Sequence, residues 1–520
     1  MAVDIASNPP LYRPRRLAQL LLILFGQAIG FAGYMLIGLN QSNALPSAWP
    51  EVAAAWFGLG IVAHIVVGLV APYADPTLLP LVFALSGLGL AQIHRLDLAE
   101  NTSGVTTQFI ALVIGVVLAL VIVAWLRQPS RLKAFPYLLS AFGIVLLLLP
   151  LIPGLGADVN GSRIWIRLAG FSFQPAELAK IVLAASFAAY LTDKREVLSM
   201  AGRKVLGVEL PRMRDLGPIA IMWAVSLAIM VFENDFGTSL LFFGLFIVMI
   251  YTATGKAGWV VLGLVLFGAG GAAVVRYASH VGRRIDFWLH PFAFPDTATQ
   301  IIQAQFGLSH GGLLGSGWGL GRPSLTIFAS SDMISAALGE EIGLVGLFAV
   351  IVLYGLFAFR GLKAALATND SFLQLFATGL SFGFILQTFL IIGGVTRLLP
   401  LTGLTTPFMS QGGSSMIANW ILVALLLVIS QQVRQPAPAV GPTTGQGVTV
   451  LDDDSTQVLT VKELARIGTG EIHPVERVDA VQVPVSQAEP SPPPRDDVVP
   501  DFIDPAGSPG EPPPTSEDSQ

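Results

Sequence analysis

The sequence predicts an all-α polytopic membrane protein with about twelve transmembrane helices, a long loop on one side and a disordered C-terminal tail. Three observations predict it. Of 520 residues, 53% are apolar and only 12% are charged, with a mean hydropathy of +0.68; soluble domains carry roughly 25% charged residues. Apolar runs long enough to cross a hydrocarbon layer recur along the chain. Lysines and arginines gather after alternate runs, as the positive-inside rule requires. The net charge of −5 hides this pattern, because much of the acid lies in the tail.

Residues 1–16 form a short cytoplasmic N-terminus with Arg13, Arg15 and Arg16. No small-residue cleavage site follows, so the first run, 17–38, reads as an uncleaved span. Further runs fall near 52–72, 77–94, 107–126, 135–153, 174–192, 215–232, 238–253, 257–276, 340–359, 372–394 and 415–432. Basic clusters follow the fourth run (Arg127, Arg131, Lys133), the sixth (Lys194 to Arg214), the eighth (Lys256), the tenth (Arg360, Lys363) and the twelfth (Arg434). Twelve spans put all of these on one side, the cytoplasmic, together with both termini. Segments 154–173, 233–237, 277–339 and 395–414 then face outward; the third is long enough to carry function. Residues 435–520 are rich in Pro, Asp, Glu, Ser and Thr and cannot bury a core, so they read as a disordered tail with a transient helix at Val458–Ile467.

Cysteine is absent, which excludes disulfides and thiolate chemistry. The six histidines show no ligand spacing, so no fixed metal cage is expected, and nothing resembles a nucleic-acid module. Polar chemistry concentrates where outer segments meet helices. In the run from Gly161 to Lys180, Pro175 suits a first helical turn, and Glu177 and Lys180 follow three residues apart on one face. Ionisable groups at membrane depth face a protein interior or a wet cavity, so the pair either lines a cavity or is a structural ion pair. Glu233–Thr238, Ser331–Gly346 and Thr405–Ser415 each open a later span with polar residues among glycines. Helix starts of this kind suit anions. Asp235, Asp332, Glu340 and Glu341 are read as caps, loop organisers or substrate contacts. The glycine string Gly311–Gly321 has no strand before it and is read as tight turning rather than dinucleotide binding.

Five pieces, GSRIWI…FQPAELAK, ENDFGTSL, GGLLGSGWG, SSDMISAALGEEIGLVG and GVTRLLPLTGLTTPFMSQGGSS, stand in an order that resembles the SEDS family (shape, elongation, division and sporulation; RodA/FtsW-like) over about 160–432. The resemblance implies a ten-helix core at 76–434 with outer loop 277–339, and leaves 17–75 as two additional N-terminal helices. It implies a peptidoglycan glycosyltransferase that polymerises lipid II into glycan strands at the outer face of the bacterial cytoplasmic membrane, during elongation or division. A class B penicillin-binding protein is the implied partner, besides membrane lipids. A lipid II flippase and a non-catalytic scaffold for a partner transpeptidase are the alternatives; the outer placement of the polar motifs favours the enzyme.

The family's essential aspartate precedes a glutamine-rich amphipathic segment, and here that stretch reads His290-Pro-Phe-Ala-Phe-Pro-Asp-Thr-Ala-Thr-Gln300. Counting from Pro291 puts Phe294 at the aspartate's place; counting back from Gln300 with a small gap favours Asp296, the only acid in the stretch. Asp296 is the expected catalytic residue and Asp286 the fallback. Expected substrate contacts are Arg163, Gln174, Glu177, Lys180, Arg397, Ser414 and Ser415. Interfacial snorkelling is the alternative for Arg163 and Arg397, and the favoured one for Arg167; close packing of small residues is the alternative for the serines. No tightly bound cofactor is expected; a divalent cation, Mg2+ or Mn2+, can accompany the lipid diphosphate.

Overall fold

The computed structural model describes residues 15–159, 162–168, 171–199, 203–205, 208–210, 213–233, 235–277, 279–436, 448–452 and 455–459. Gly161, Arg13, Arg212, Asn234 and the expected tail helix beyond residue 459 lie outside the described residues. The chain divides into two units, 1–437 and 438–520.

The described residues of the first unit form a bundle of fourteen α-helices: α1 (Arg16–Ser42), α2 (Trp49–Val70), α3 (Leu78–Glu100), α4 (Gly104–Trp125), α5 (Pro136–Leu148), α6 (Pro175–Ser199), α7 (Met213–Phe232), α8 (Phe236–Thr254), α9 (Gly258–Tyr277), α10 (Ser279–Leu289), α11 (Thr299–Gly311), α12 (Ile334–Leu366), α13 (Ser371–Val395) and α14 (Gly413–Arg434). Among the described residues nine are long and apolar enough to span a membrane. Three shorter apolar helices, Pro136–Leu151, Ala220–Phe232 and Gly258–Ala272, occupy the fifth, seventh and ninth expected runs. The chain is therefore a multi-pass membrane protein. α10 and α11 lie within the long loop.

Two glycines let α1 lie against α3. A Cβ on Gly30 would fall 2.4 Å from the carbonyl carbon of Gly87, so the crossing tolerates only hydrogen there. α2 is pinned to α1 by Trp56, whose Nε1 donates to the Gln27 carbonyl at 3.0 Å. At the end of α3, buried Asp97 accepts from the amides of Gly104 (2.9 Å) and Val105 (2.7 Å), satisfying free N–H groups of the first turn of α4. At the opposite end buried Asp75 meets Arg360 of α12 at 3.2 Å and Arg434 of α14.

The long loop is spliced into a break in α12. Gly343 has φ 69° and ψ −177°, a conformation essentially restricted to glycine. The break frees backbone groups on both sides, and the glycine-rich turn takes them up. Ser316 and Gly317 donate to the carbonyls of Glu340 (3.0 Å) and Glu341 (2.9 Å); Leu344 and Val345 donate to Gly312 (2.9 Å) and Leu313 (3.1 Å). The two acids anchor the same splice. Glu341 pairs with Arg95 of α3 at 3.1 Å, while Glu340 accepts from the Arg322 amide at 2.8 Å and contacts His310 Nδ1 at 3.0 Å. A Cβ on Gly343 would sit 2.2 Å from the Gly315 nitrogen. Gly343→Ala is therefore expected to cost on the order of 3 kcal/mol or more. Gly355→Ala, facing open space in the same helix, should cost nothing; thermal unfolding in detergent separates the two.

Segment 154–173, expected as a plain loop, instead holds a three-stranded antiparallel sheet, β1 (Gly156–Val159), β2 (Ser162–Leu168) and β3 (Phe171–Phe173), with Ile166 opposite both Gly156 and Phe173. A small hairpin, β4 (Arg203–Val205) with β5 (Val208–Leu210), lies between α6 and α7. In the second unit, β6 (Val448–Asp452) pairs antiparallel with β7 (Ser455–Leu459). These two strands fall in the stretch that the sequence predicts as a disordered tail, and Val448, Thr449, Val450, Thr456 and Val458 are β-branched, which favours extended backbone. The pairing also places strand, not helix, at Val458 and Leu459.

Candidate functional site

A cavity of about 750 Å³ opens among the polar segments, within the range of roughly 300–1,000 Å³ typical of ligand sites. Its walls come from five places. The sheet contributes Trp165 and Arg167; α10 contributes Arg284 and Phe287; the start of α11 contributes Gln300; the segment before α12 contributes Asp332; segment 401–411 contributes Thr405 and Gln411. Gln174, just ahead of α6, completes it.

Backbone geometry holds these walls together. Phe328 and Phe408 adopt positive φ, 61° and 65°, and turn their segments toward each other. The Gln411 amide donates to the Ser330 carbonyl at 2.7 Å, and Ser410 Oγ donates to the Ser331 carbonyl at 2.7 Å while accepting from the Thr406 amide. Arg284 Nη1 reaches the Leu401 carbonyl at 3.4 Å. Of the lining residues, Asp332 is the one acid and Arg167 and Arg284 are the two bases. Burial raises the Asp332 pKa to about 6, against the opposing pull of Arg284. The carboxylate is thus ionised at neutral pH yet a better proton acceptor than an exposed aspartate.

Behind Gln174 and Thr405 lies a buried polar floor. Lys180 Nζ donates to Glu177 Oε2 at 2.6 Å and to Gln387 Oε1 at 2.7 Å. Gln387 Nε2 in turn donates to the Thr405 carbonyl at 2.9 Å, so the pair is joined to the cavity wall through Thr405. Beside it, buried Asp235 caps α8 by accepting from the Thr238 amide at 3.0 Å. Glu233, also buried, is pushed up to about 8 by desolvation and then by the Asp235 charge. A raised carboxyl pKa means that the stabilising contribution is full below the ordinary 4.5 and is lost as pH rises through 8. Glu233→Gln should therefore be nearly neutral in melting temperature at pH 5 and more stable than the wild type at pH 9, as calorimetry across that window would register.

The structure distributes the expected site residues unevenly. Gln174 lines the large cavity, and Glu177 and Lys180 line the small space directly beneath it. Asp296 is exposed after a short 3-10 turn and does not line the cavity, although the next residue, Thr297, does. Asp286 is exposed on α10, and Arg163 is exposed on β2, outside the lining. Arg397, at φ 61°, spends its guanidinium on the Trp288 carbonyl (2.9 Å and 3.2 Å) and receives the Trp288 indole N–H in return at 2.9 Å; it braces α10 rather than facing the cavity. Ser414 and Ser415 are buried in the first turn of α14, with Ser415 Oγ bonded to Asn419. Sequence reasoning missed Arg284 altogether and used Gln300 only as the marker from which Asp296 is counted. The signal for Arg284 was available: Arg284 and Phe287, three apart, share one face of a short amphipathic helix.

Comparison with known proteins bears on the whole arrangement. The family model described as "Cell cycle protein" (FtsW, RodA, SpoVE) matches residues 75–435, well over half of the chain. The chain belongs to the FtsW/RodA/SpoVE family. It is 44% identical over 464 residues to the peptidoglycan glycosyltransferase RodA of Mycobacterium tuberculosis, covering 87% of this chain and 99% of that one. It is 42% identical over 440 residues to RodA of Mycobacterium leprae, covering 83% and 94%. A chain from the solved structure titled "Structural coordination of polymerization and crosslinking by a peptidoglycan synthase complex" shares the fold at a TM-score of 0.58 and 24% identity, over 70% of this chain and 99% of that chain.

Within the FtsW/RodA/SpoVE match lie α3–α9 and α12–α14, ten apolar helices of which seven are of spanning length and three shorter. Every wall of the cavity also falls inside it. Helices α1 and α2 precede it. The donors at the cavity do not make a cation cage. Asp332 stands with two guanidinium groups, a set that fits an anion, and among the described residues no three His, Asp or Glu side chains are grouped to hold a metal.

Proposed function

We propose that this protein is a peptidoglycan glycosyltransferase that extends glycan strands from lipid II at the outer face of the cytoplasmic membrane. The observation that carries the reading is the cavity itself: one carboxylate of raised pKa and two guanidinium groups, gathered where apolar helices end. Glycan extension needs both functions at once. The acceptor sugar hydroxyl attacks the anomeric carbon of the donor, the bond from that carbon to the diphosphate oxygen breaks, and the hydroxyl proton passes to a base. Asp332 is positioned to take that proton. Arg284 and Arg167 offer planar donors to the diphosphate as its charge develops, and a Mg2+ or Mn2+ ion carried by the diphosphate would add to that neutralisation. The polyprenyl chain stays in the bilayer beside the apolar helices. Gln174, Glu177 and Lys180 form the floor and orient Thr405.

The M. tuberculosis and M. leprae relatives, named as enzymes of this activity and similar over most of their length, support the reading. Both termini lie in the cytoplasm in this proposal, consistent with basic Arg360 and Arg434 at the end of the bundle opposite the long loop. A class B penicillin-binding protein serves as the crosslinking partner. The test is purified full-length protein, with and without such a partner, given labelled lipid II. Glycan polymer is the expected product. Lipid translocation in vesicles without polymer under either condition would replace the enzyme by a transporter.

A further inference from the structure

A second cavity, of about 440 Å³, lies between α1, α2, α3 and α4. Its position is informative because α1 and α2 precede the family match, so the cavity exists only where the added helices meet the core. Its walls are almost wholly apolar, with Phe31, Trp56 and Phe109 among them. Such a space offers water too few partners, and left empty its lining forfeits dispersion contacts. Between membrane spans the available filler is hydrocarbon.

The few polar lining groups gather at one end. Glu51 lies in the first turn of α2, Thr106 in the first turn of α4, and His94 near the end of α3, where its ring meets Tyr34 at 4.8 Å. That end is the one that meets the long loop, since Asn40 of α1 donates to the Trp318 carbonyl at 2.6 Å and Arg95 of α3 reaches Glu341. Glu51 is exposed and, among the described residues, its carboxylate makes no hydrogen bond or ion pair. No lysine or arginine lines the cavity. A diphosphate headgroup would meet a carboxylate and no counter-charge, whereas an ammonium would be paired.

We propose that this cavity holds one acyl chain of a bilayer phospholipid bearing a primary-amine headgroup, with the ammonium held at the rim by Glu51. The site is separate from the glycan-forming cavity and does not depend on the activity proposed for it.

The test uses the full-length chain in nanodiscs doped with a photoactivatable phosphatidylethanolamine, a matched phosphatidylglycerol or a polyprenyl diphosphate probe, with crosslinks mapped by mass spectrometry. Labelling by the ethanolamine lipid should concentrate on α1, α2 and α4, at roughly two- to fivefold over the glycerol lipid. Glu51→Gln should abolish that preference while keeping the labelling. Ala55→Trp, at an exposed lining position, should fill the cavity and remove the labelling there but leave it on α13; Thr106→Trp at the rim serves should Ala55→Trp not fold. Uniform labelling of all lipid-facing helices, labelling unchanged by either tryptophan, an equal response to the two phospholipids, or preference for the diphosphate would each overturn the proposal.

Discussion

Asp332→Asn is expected to lower glycan polymerisation on the order of 100- to 10,000-fold, the usual worth of a positioned general base, while the protein becomes no less stable. The two effects separate because of how Asp332 is held. Its pKa is raised from 3.8 to about 6 by burial, so its contribution to stability is full below 3.8 and lost as pH rises through 6. Removing the charge at neutral pH therefore relieves the fold. Activity runs the other way: the wild type should lose turnover as pH falls through about 6, when the base is protonated. A residue of purely structural importance would lower melting temperature and activity together. Asp296→Asn, altering an exposed carboxylate outside the cavity lining, should retain most activity. If Asp296→Asn were dead and Asp332→Asn active, the base would be reassigned to Asp296, with the loop after Pro295 closing over the cavity.

The second large effect concerns Glu177 and Lys180. Their side chains are only 6% and 11% exposed at a separation of 2.6 Å. Lys180→Met leaves a buried carboxylate without its partner and should cost about 3–5 kcal/mol. Glu177→Gln combined with Lys180→Met removes both charges and should recover most of that loss, because a buried pair contributes little beyond offsetting its own desolvation. A double-mutant cycle on thermal stability reads the coupling directly; additive losses would show that the two charges do not depend on each other. Polymerisation in the stable double variant then reports on whether the floor matters to the cavity above it, through Gln387 and Thr405.

The spans were legible because hydrocarbon imposes a simple rule: about twenty apolar residues, with every backbone group satisfied inside the segment. That rule located the apolar helices and the polar pair on α6. It has no counterpart for the long loop. The helix α10 was missed because eleven residues with three charges carry no hydropathy signal. The sheet at 156–173 was missed although Ile164, Ile166 and Leu168 alternate with Arg163, Trp165 and Arg167, a period-two pattern obscured by the short strands. Glu340 and Glu341 were legible only as caps, loop organisers or substrate contacts, because they are acids beside glycines. At the helix break Glu341 depends on Arg95, 246 residues away in sequence, a partner that no local pattern displays. Asp332 was visible as one acid among several; its standing as the one acid lining the cavity required the segments 328–333 and 401–411 to be seen together. Resemblance drew attention to Asp296, where this chain departs from the expected pattern; the proposal of Asp332 rests on the cavity lining, which contains Asp332 and not Asp296.

The last helix has a consequence for how the protein is made. α14 is the last helix in chain order among the described residues, yet it packs against α3, α4, α6, α12 and α13, and 83% of its apolar window is buried inside the bundle. Until it arrives, α4 lacks its main partner and the buried Asp75 lacks Arg434. A chain stopped before α14 therefore leaves that face of α4 uncovered and Asp75 without one of its two guanidinium partners. Quality-control proteases should discriminate sharply between chains stopped just before α14 and chains stopped just after Arg434.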